Sequence, residues 1–200
     1  MRSSLLAGIL LFVTMAFTFS ETSQYPLDFF RSPVDRTIRL SGTFGELRPN
    51  HLHAGIDIKA YRGKVGQRIY AAAEGYVSRV KVQSGGYGNV LYLAHPNGYT
   101  TVYAHLGKFP AAVAEYVEAE QYRRESFEVD LYPPKGKFSF ASGDPIGTLG
   151  MSGRSFGPHL HFEIRDSRTE KPNNHHLKRI TKEDNNTPPH QKHKKNHQNK

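Results

Sequence analysis

Apolar and polar residues alternate along much of this chain in short runs set off by turn residues. Gly75–Val82, Asn89–Ala94 and Tyr99–Leu106 read as strands, separated by Ser84-Gly85-Gly86 and Pro96-Asn97-Gly98. A second strand-rich stretch covers Asp144–Leu149 and His159–Ile164. Short strands at regular spacing predict an all-β fold. The segment between the two stretches differs. Ala111–Arg124 is dense in Ala, Glu, Gln and Arg and predicts a helix, while Glu125–Phe140 is mixed and holds Pro133-Pro134. Residues 109–140 therefore read as a partly helical insertion on a β scaffold.

The two ends have patterns of their own. Arg2 precedes an almost unbroken apolar run, Leu5–Phe17, and Ala16, Thr18 and Ser20 provide a small or polar exit. This order predicts a secretory signal peptide over residues 1–20. Its thirteen-residue run is shorter than the roughly 20 residues that span a bilayer. The mature protein is thus expected to begin near Glu21, to lack a transmembrane segment and to work outside the cytoplasm, in periplasm, cell wall or medium. Residues 21–36 read as a lead-in, 37–170 as the domain and 171–200 as a basic tail rich in His, Asn and Lys. Beyond Pro172 the only aliphatic residues are Leu177 and Ile180. So little apolar surface cannot offset the entropy of ordering, and the tail is expected to be disordered.

Composition fits that division. Hydrophobic residues make up 37% of the 200, below the roughly 45–50% of an ordinary globular chain. The net charge is +9, and eight Lys/Arg against two acidic residues in Lys171–Lys200 place +6 of it in the tail. A solvated tail with screened attraction to anionic wall polymers or membrane surfaces is expected, with no specific nucleic-acid partner. Its histidines would bind metals only weakly. The absence of cysteine excludes disulfides, a thiolate nucleophile and Cys-ligated zinc.

The chemistry lies in three histidine strings. In an extended His51–Asp57, side chains of His51, His53, Gly55 and Asp57 would share one face, with Gly55 leaving space for His53 and Asp57 to converge. In Gly157–Ile164, His159, His161 and Glu163 share one face and Leu160, Phe162 and Ile164 the other. His105 falls on the more polar face of Tyr99–Leu106. Imidazole and carboxylate are the ligands zinc accepts when no thiolate is present, and a catalytic site uses three of them. His53, Asp57 and one histidine of the 159/161 pair meet that count. His105 and the remaining histidine suit acid–base work or oxyanion stabilisation. Glu163 is expected behind a ligand or on the surface, and His95, in a His-Pro-Asn-Gly turn, on the surface. The H-E-x-x-H motif is absent, so histidine is the expected proton carrier.

Ser41-Gly42-Thr43-Phe44-Gly45, His53-x-Gly55-x-Asp57, Tyr87-Gly88-Asn89, Tyr103-Ala104-His105-Leu106 and Gly147 through Gly157-Pro158-His159-Leu160-His161-Phe162-Glu163 occur in that order. The combination closely resembles the lysostaphin-type (LytM-like) zinc metallopeptidases, from about Leu40 to Asp166 without the insertion. The resemblance implies antiparallel sheets in a sandwich-like core that floors a substrate groove. It implies Zn²⁺ held by His53, Asp57 and His161, flanked by His105 and His159 as the catalytic pair. The implied activity is a secreted endopeptidase that hydrolyses peptide cross-links of bacterial peptidoglycan through a zinc-bound water and the two histidines. It leaves room for a regulatory protein partner. The alternative on the same fold is a noncatalytic wall-binding or hydrolase-activating module. His51 could in principle replace His53, but only His53 has the family's spacing to Asp57.

Overall fold

A computed structural model describes residues 28–174, 176, 177 and 179–181. The expected signal peptide and the chain from residue 182 lie outside the described residues. The strands follow in the order β1 (Leu40–Gly42), β2 (Ile56–Lys59), β3 (Arg68–Tyr70), β4 (Gly75–Val82), β5 (Val90–Ala94) and β6 (Tyr99–Ala104). After them come β7 (Leu106–Lys108), helix α1 (Ala111–Arg124), β8 (Val129–Leu131), β9 (Ser139–Phe140), β10 (Pro145–Leu149) and β11 (His159–Asp166). Among the described residues all strand pairings are antiparallel and the helix content is small, so the all-β expectation holds.

The larger sheet runs β1-β2-β11-β6-β5-β4-β8, with β9 also pairing with β4, and the smaller runs β3-β10-β7. Branched and aromatic residues on alternate positions of the central strands explain the packing. Leu160, Phe162 and Ile164 are wholly buried and join Ile58, Leu91, Leu93 and Tyr103 in the main core. His161 and Glu163 alternate onto the other face, which carries a smaller apolar cluster of Val90, Tyr92, Val102 and Ala104.

Tyr99–Leu106 is not one strand. His105 adopts φ 59°, a left-handed conformation that a non-glycine residue holds at a cost of about 1–3 kcal/mol. That single residue hands the chain from β6 of the larger sheet to β7 of the smaller. Main-chain contacts hold it there: His105 N–H donates to Tyr87 O at 2.9 Å and Leu106 N–H to Asn89 O at 3.0 Å.

Both expected ends of the domain need correction. The described part of the lead-in, residues 28–36, packs on the body, because Phe30 and Val34 are buried in the core and Arg31 N–H donates to Ala72 O at 2.8 Å. The tail does not begin at residue 171. Residues 174, 176, 177 and 179–181 are helical, and Leu177 and Ile180 are buried in the core, so two aliphatic residues suffice to dock this short piece. The insertion is likewise built into the scaffold. Val113 and Val117 of α1 are buried, β8 and β9 pair with β4, and the exposed face of α1 carries Glu120 between Arg123 and Arg124.

Candidate metal centre

Strand register alone brings most of the site together. On β2 and β11, Asp57 lies opposite His161 and Lys59 opposite His159; on β6, Ala104 lies opposite His161, one residue before His105. His53 arrives from a loop rather than from an extended strand. Its peptide N–H donates to Glu46 O, and its carbonyl accepts from Gly45 N–H, both at 2.8 Å. Gly55 is required for the approach: a Cβ there would lie 2.3 Å from Phe162 O and 2.7 Å from Glu163 Cγ.

Three atoms that could ligate a metal ion result, one each from His53, Asp57 and His161, all three residues buried. His53 Nε2 is 3.1 Å from Asp57 Oδ1 and 3.0 Å from His161 Nδ1, and His161 Nδ1 is 2.9 Å from Asp57 Oδ1. Tetrahedral zinc at about 2.0–2.1 Å from each donor needs donor atoms about 3.3–3.4 Å apart, so a slight opening of this triangle fits the ion. The outer atoms are committed elsewhere. His53 Nδ1–H donates to Thr43 O at 2.7 Å and His161 Nε2–H to Glu163 Oε1 at 2.7 Å, which leaves the inward nitrogens as lone-pair donors. Asp57 Oδ2 accepts from Arg48 Nη2 at 2.9 Å, and Arg48 also reaches Glu46 at 3.2 Å. Two imidazoles and one carboxylate suit zinc, and the chain has no thiolate to compete.

The electrostatics favour an ionised carboxylate here. Burial alone would raise the Asp57 carboxyl, but hydrogen bonds and charge from His161 and His53 hold it far below the usual carboxylate range. Burial alone would lower His161; Asp57 and Glu163 outweigh it and raise the imidazole, so a proton would compete with a cation for the same nitrogen.

Two further imidazoles stand beside the triangle, His105 and His159, with ring centroids 4.6 Å apart. His105 Nδ1–H donates to Ser152 O at 2.8 Å and His159 Nδ1–H to Gly157 O at 2.8 Å, with Ser155 Oγ 3.2 Å away. Each ring is thereby oriented by its Nδ1. His159 Nε2 lies 3.5 Å from Asp57 Oδ1. Burial pushes His105 down to about 4, against the upward pull of the Ser152 carbonyl. Ser152 is itself fixed: its Oγ donates to Leu106 O at 2.8 Å and accepts from Asn89 N–H at 2.9 Å. Gly88 and Gly153, at φ 63° and 69°, let two backbones touch, since a Cβ on either would come within 2.3 Å of the other loop.

The structure thus brings His53, Asp57, His105, His159 and His161 together and leaves out His51, which is exposed and bonds Asn50. His95 is not on the surface but buried at 6% exposure, bonded to Glu74 O at 2.6 Å and to Thr101 Oγ1 at 2.7 Å. Its ring packs edge-on against Phe29 and Phe30. Reasoning from the sequence missed Arg48, Thr43 and Ser152 as supports. The last two act largely through main-chain carbonyls, which no side-chain pattern reveals.

The antiparallel sheets thus hold a His/Asp/His cluster of the kind that can bind a metal ion, beside a pair of histidines. Residues 51–122 match peptidase family M23. The chain is 34% identical to the DD-carboxypeptidase/endopeptidase Mpg of Neisseria meningitidis over 132 residues, 64% of this chain and 24% of that one. It is 35% identical to the peptidoglycan DD-endopeptidase ShyC of Vibrio cholerae over 142 residues, 68% of this chain and 26% of that one. A crystal structure of a zinc-containing peptidase from Vibrio cholerae superposes with a TM-score of 0.54 at 26% identity, covering 74% of this chain and 39% of that one. The chain carries a peptidase M23 domain, homologous to DD-endopeptidases. It spans about a quarter of the length of the curated relatives it matches.

Proposed function

We propose that this chain is a secreted zinc-dependent endopeptidase that hydrolyses the peptide cross-links of bacterial peptidoglycan. The observation that carries the reading is the triangle of His53 Nε2, Asp57 Oδ1 and His161 Nδ1, 2.9–3.1 Å on a side, beside two histidines tied to backbone carbonyls. Those three atoms would hold the ion; zinc so held supplies a Lewis acid and brings the pKa of its water to about 7.

The chain's own residues supply the proton traffic and the geometry. His105 is held neutral by burial with its proton on Nδ1, so Nε2 is the acceptor for the proton lost by the attacking water. His159, beside Asp57, is placed to stabilise charge on the carbonyl oxygen or to protonate the departing amine. Arg48 keeps Asp57 turned so that Oδ1 faces the site. The peptidoglycan DD-endopeptidase activity in the name of one relative supports the substrate class, and that polymer lies outside the cytoplasm. The apolar run Leu5–Phe17 supports export.

The test is mass spectrometry of purified peptidoglycan after incubation with the zinc-loaded protein, with His105→Ala alongside. Fragments with a freed amine and carboxylate should appear. The variant should keep its zinc and lose about 10²–10⁴-fold in rate, the usual contribution of a positioned acid–base group. Intact peptidoglycan after treatment with folded, zinc-loaded protein would overturn the reading in favour of a noncatalytic wall-binding module.

A further inference from the structure

A carboxylate with no exposed surface needs a reason to be there, since burying an unpaired charge is strongly destabilising. Glu163 is such a group, at 0% exposure on the central strand β11. It is fully paired. Oε1 accepts from His161 Nε2–H at 2.7 Å and from the Tyr87 hydroxyl, and Oε2 accepts from Arg165 Nε–H at 2.5 Å. Arg165 Nη2 also donates to the Tyr87 hydroxyl at 3.3 Å. The Tyr87 ring lies nearly parallel to that of His161, with centroids 5.1 Å apart and planes 26° from each other. His161 is therefore gripped on one nitrogen and covered on one face, while Nδ1 points at Asp57 and His53.

We infer that Glu163, clamped by Arg165 and Tyr87, is the positioning residue that fixes His161 with its proton on Nε2 and its lone pair on Nδ1. The inference rests on the reading of Nδ1 as a metal-ligating atom. Residues 161 and 163 sit two apart on a strand and so share a face, which lets one carboxylate reach the imidazole from below. Arg165, two further on, continues the same row. The chemistry is directional. A carboxylate accepts at both oxygens, whereas an amide accepts at only one. In Glu163→Gln the new NH₂ must face either Arg165 Nε–H, donor against donor, or His161 Nε2, which then has to accept and moves the proton to Nδ1. Either arrangement spoils the ligand without changing the side-chain volume.

Two measurements on the intact protein test this. Zinc affinity by competition with a chromophoric chelator should weaken about 10–100-fold in Glu163→Gln, the usual loss when a ligand's partner is removed. Imidazole ¹⁵N spectra taken without metal, at alkaline pH where His161 carries one proton, should show that proton on Nε2 in the wild type. In Glu163→Gln it should be redistributed toward Nδ1. A merely structural role would lower the melting temperature and leave the tautomer alone. A folded Glu163→Gln with wild-type zinc affinity and an unchanged tautomer overturns the inference. Should that variant not fold, Arg165→Gln and Tyr87→Phe each remove one clamp; wild-type affinity and tautomer in both overturns it equally. A wild type that holds no zinc would defeat the metal-site reading instead, and the tautomer comparison would still decide this one.

Discussion

Gly55→Ala tests how closely the strands bearing Asp57 and His161 must approach. An added Cβ would meet Phe162 O at 2.3 Å, Glu163 Cγ at 2.7 Å and Phe162 C at 3.0 Å. Two of the three are backbone atoms of β11, which is hydrogen-bonded on both sides to β2 and β6 and cannot yield cheaply. Reaching ordinary contact near 3.5 Å requires a shift of about 1 Å, and overpacking of this kind costs about 1–3 kcal/mol. For a domain of this size that corresponds to a melting temperature lower by about 4–8 °C at the middle of the range. The displaced strand carries His161, directly opposite Asp57 in the register, so zinc affinity should fall with stability. Gly157→Ala is the control, because nothing lies within 4 Å of its added Cβ. Differential scanning fluorimetry and chelator competition read both effects. A Gly55→Ala protein that melts with the wild type and binds zinc equally well would refute the close-approach argument.

Two other predictions concern positions away from the site. Burial lowers His95 from 6.5 to about 4, so the folded state holds it neutral while the unfolded chain takes up a proton near its ordinary pKa. Its contribution is present above about pH 6.5 and is lost as pH falls toward 4, at about 1.4 kcal/mol per pH unit and about 3 kcal/mol in all. Urea midpoints at pH 7.5 and 4.5 should therefore converge more in His95→Gln than in wild type; equal acid losses would sink the assignment. Leu177, 1% exposed beyond the last strand, should cost about 2–5 kcal/mol on replacement by Ala, and an unchanged urea midpoint would show that this piece is not part of the core.

How much of this was legible in the sequence depended on whether side chains or main chains carried the information. β4 runs over the predicted Gly75–Val82 and α1 over the predicted Ala111–Arg124, because composition and flanking turns specify both locally. The break at His105 was not legible, since nothing in Tyr99–Leu106 signals a left-handed residue and the contacts that impose it come from Tyr87, Asn89 and Ser152, far along the chain. The pairing of β8 with β4 was equally hidden, joining residues about fifty positions apart through a segment of mixed composition. Phe30, Val34, Leu177 and Ile180 were underrated for a related reason. Sparse apolar residues show no periodicity, yet each finds a pocket that the rest of the fold has already made. In the site, spacing pointed to five residues that the fold brings together, although it assumed a strand through 51–55 where the chain forms a loop.

The position of the insertion bears on how the protein behaves in a crowded solution. β4 has eight residues, and its outer row of N–H and C=O groups is taken up by β8 and β9. Without that cover it would be a long edge bearing Val77, Val80 and Val82, open to pairing with the edge of another molecule. At the other end of the sheet β1 has only three residues and an irregular register, which makes a poor template. The segment that interrupts the β pattern thus keeps neighbouring molecules from joining sheet to sheet, a protection against aggregation.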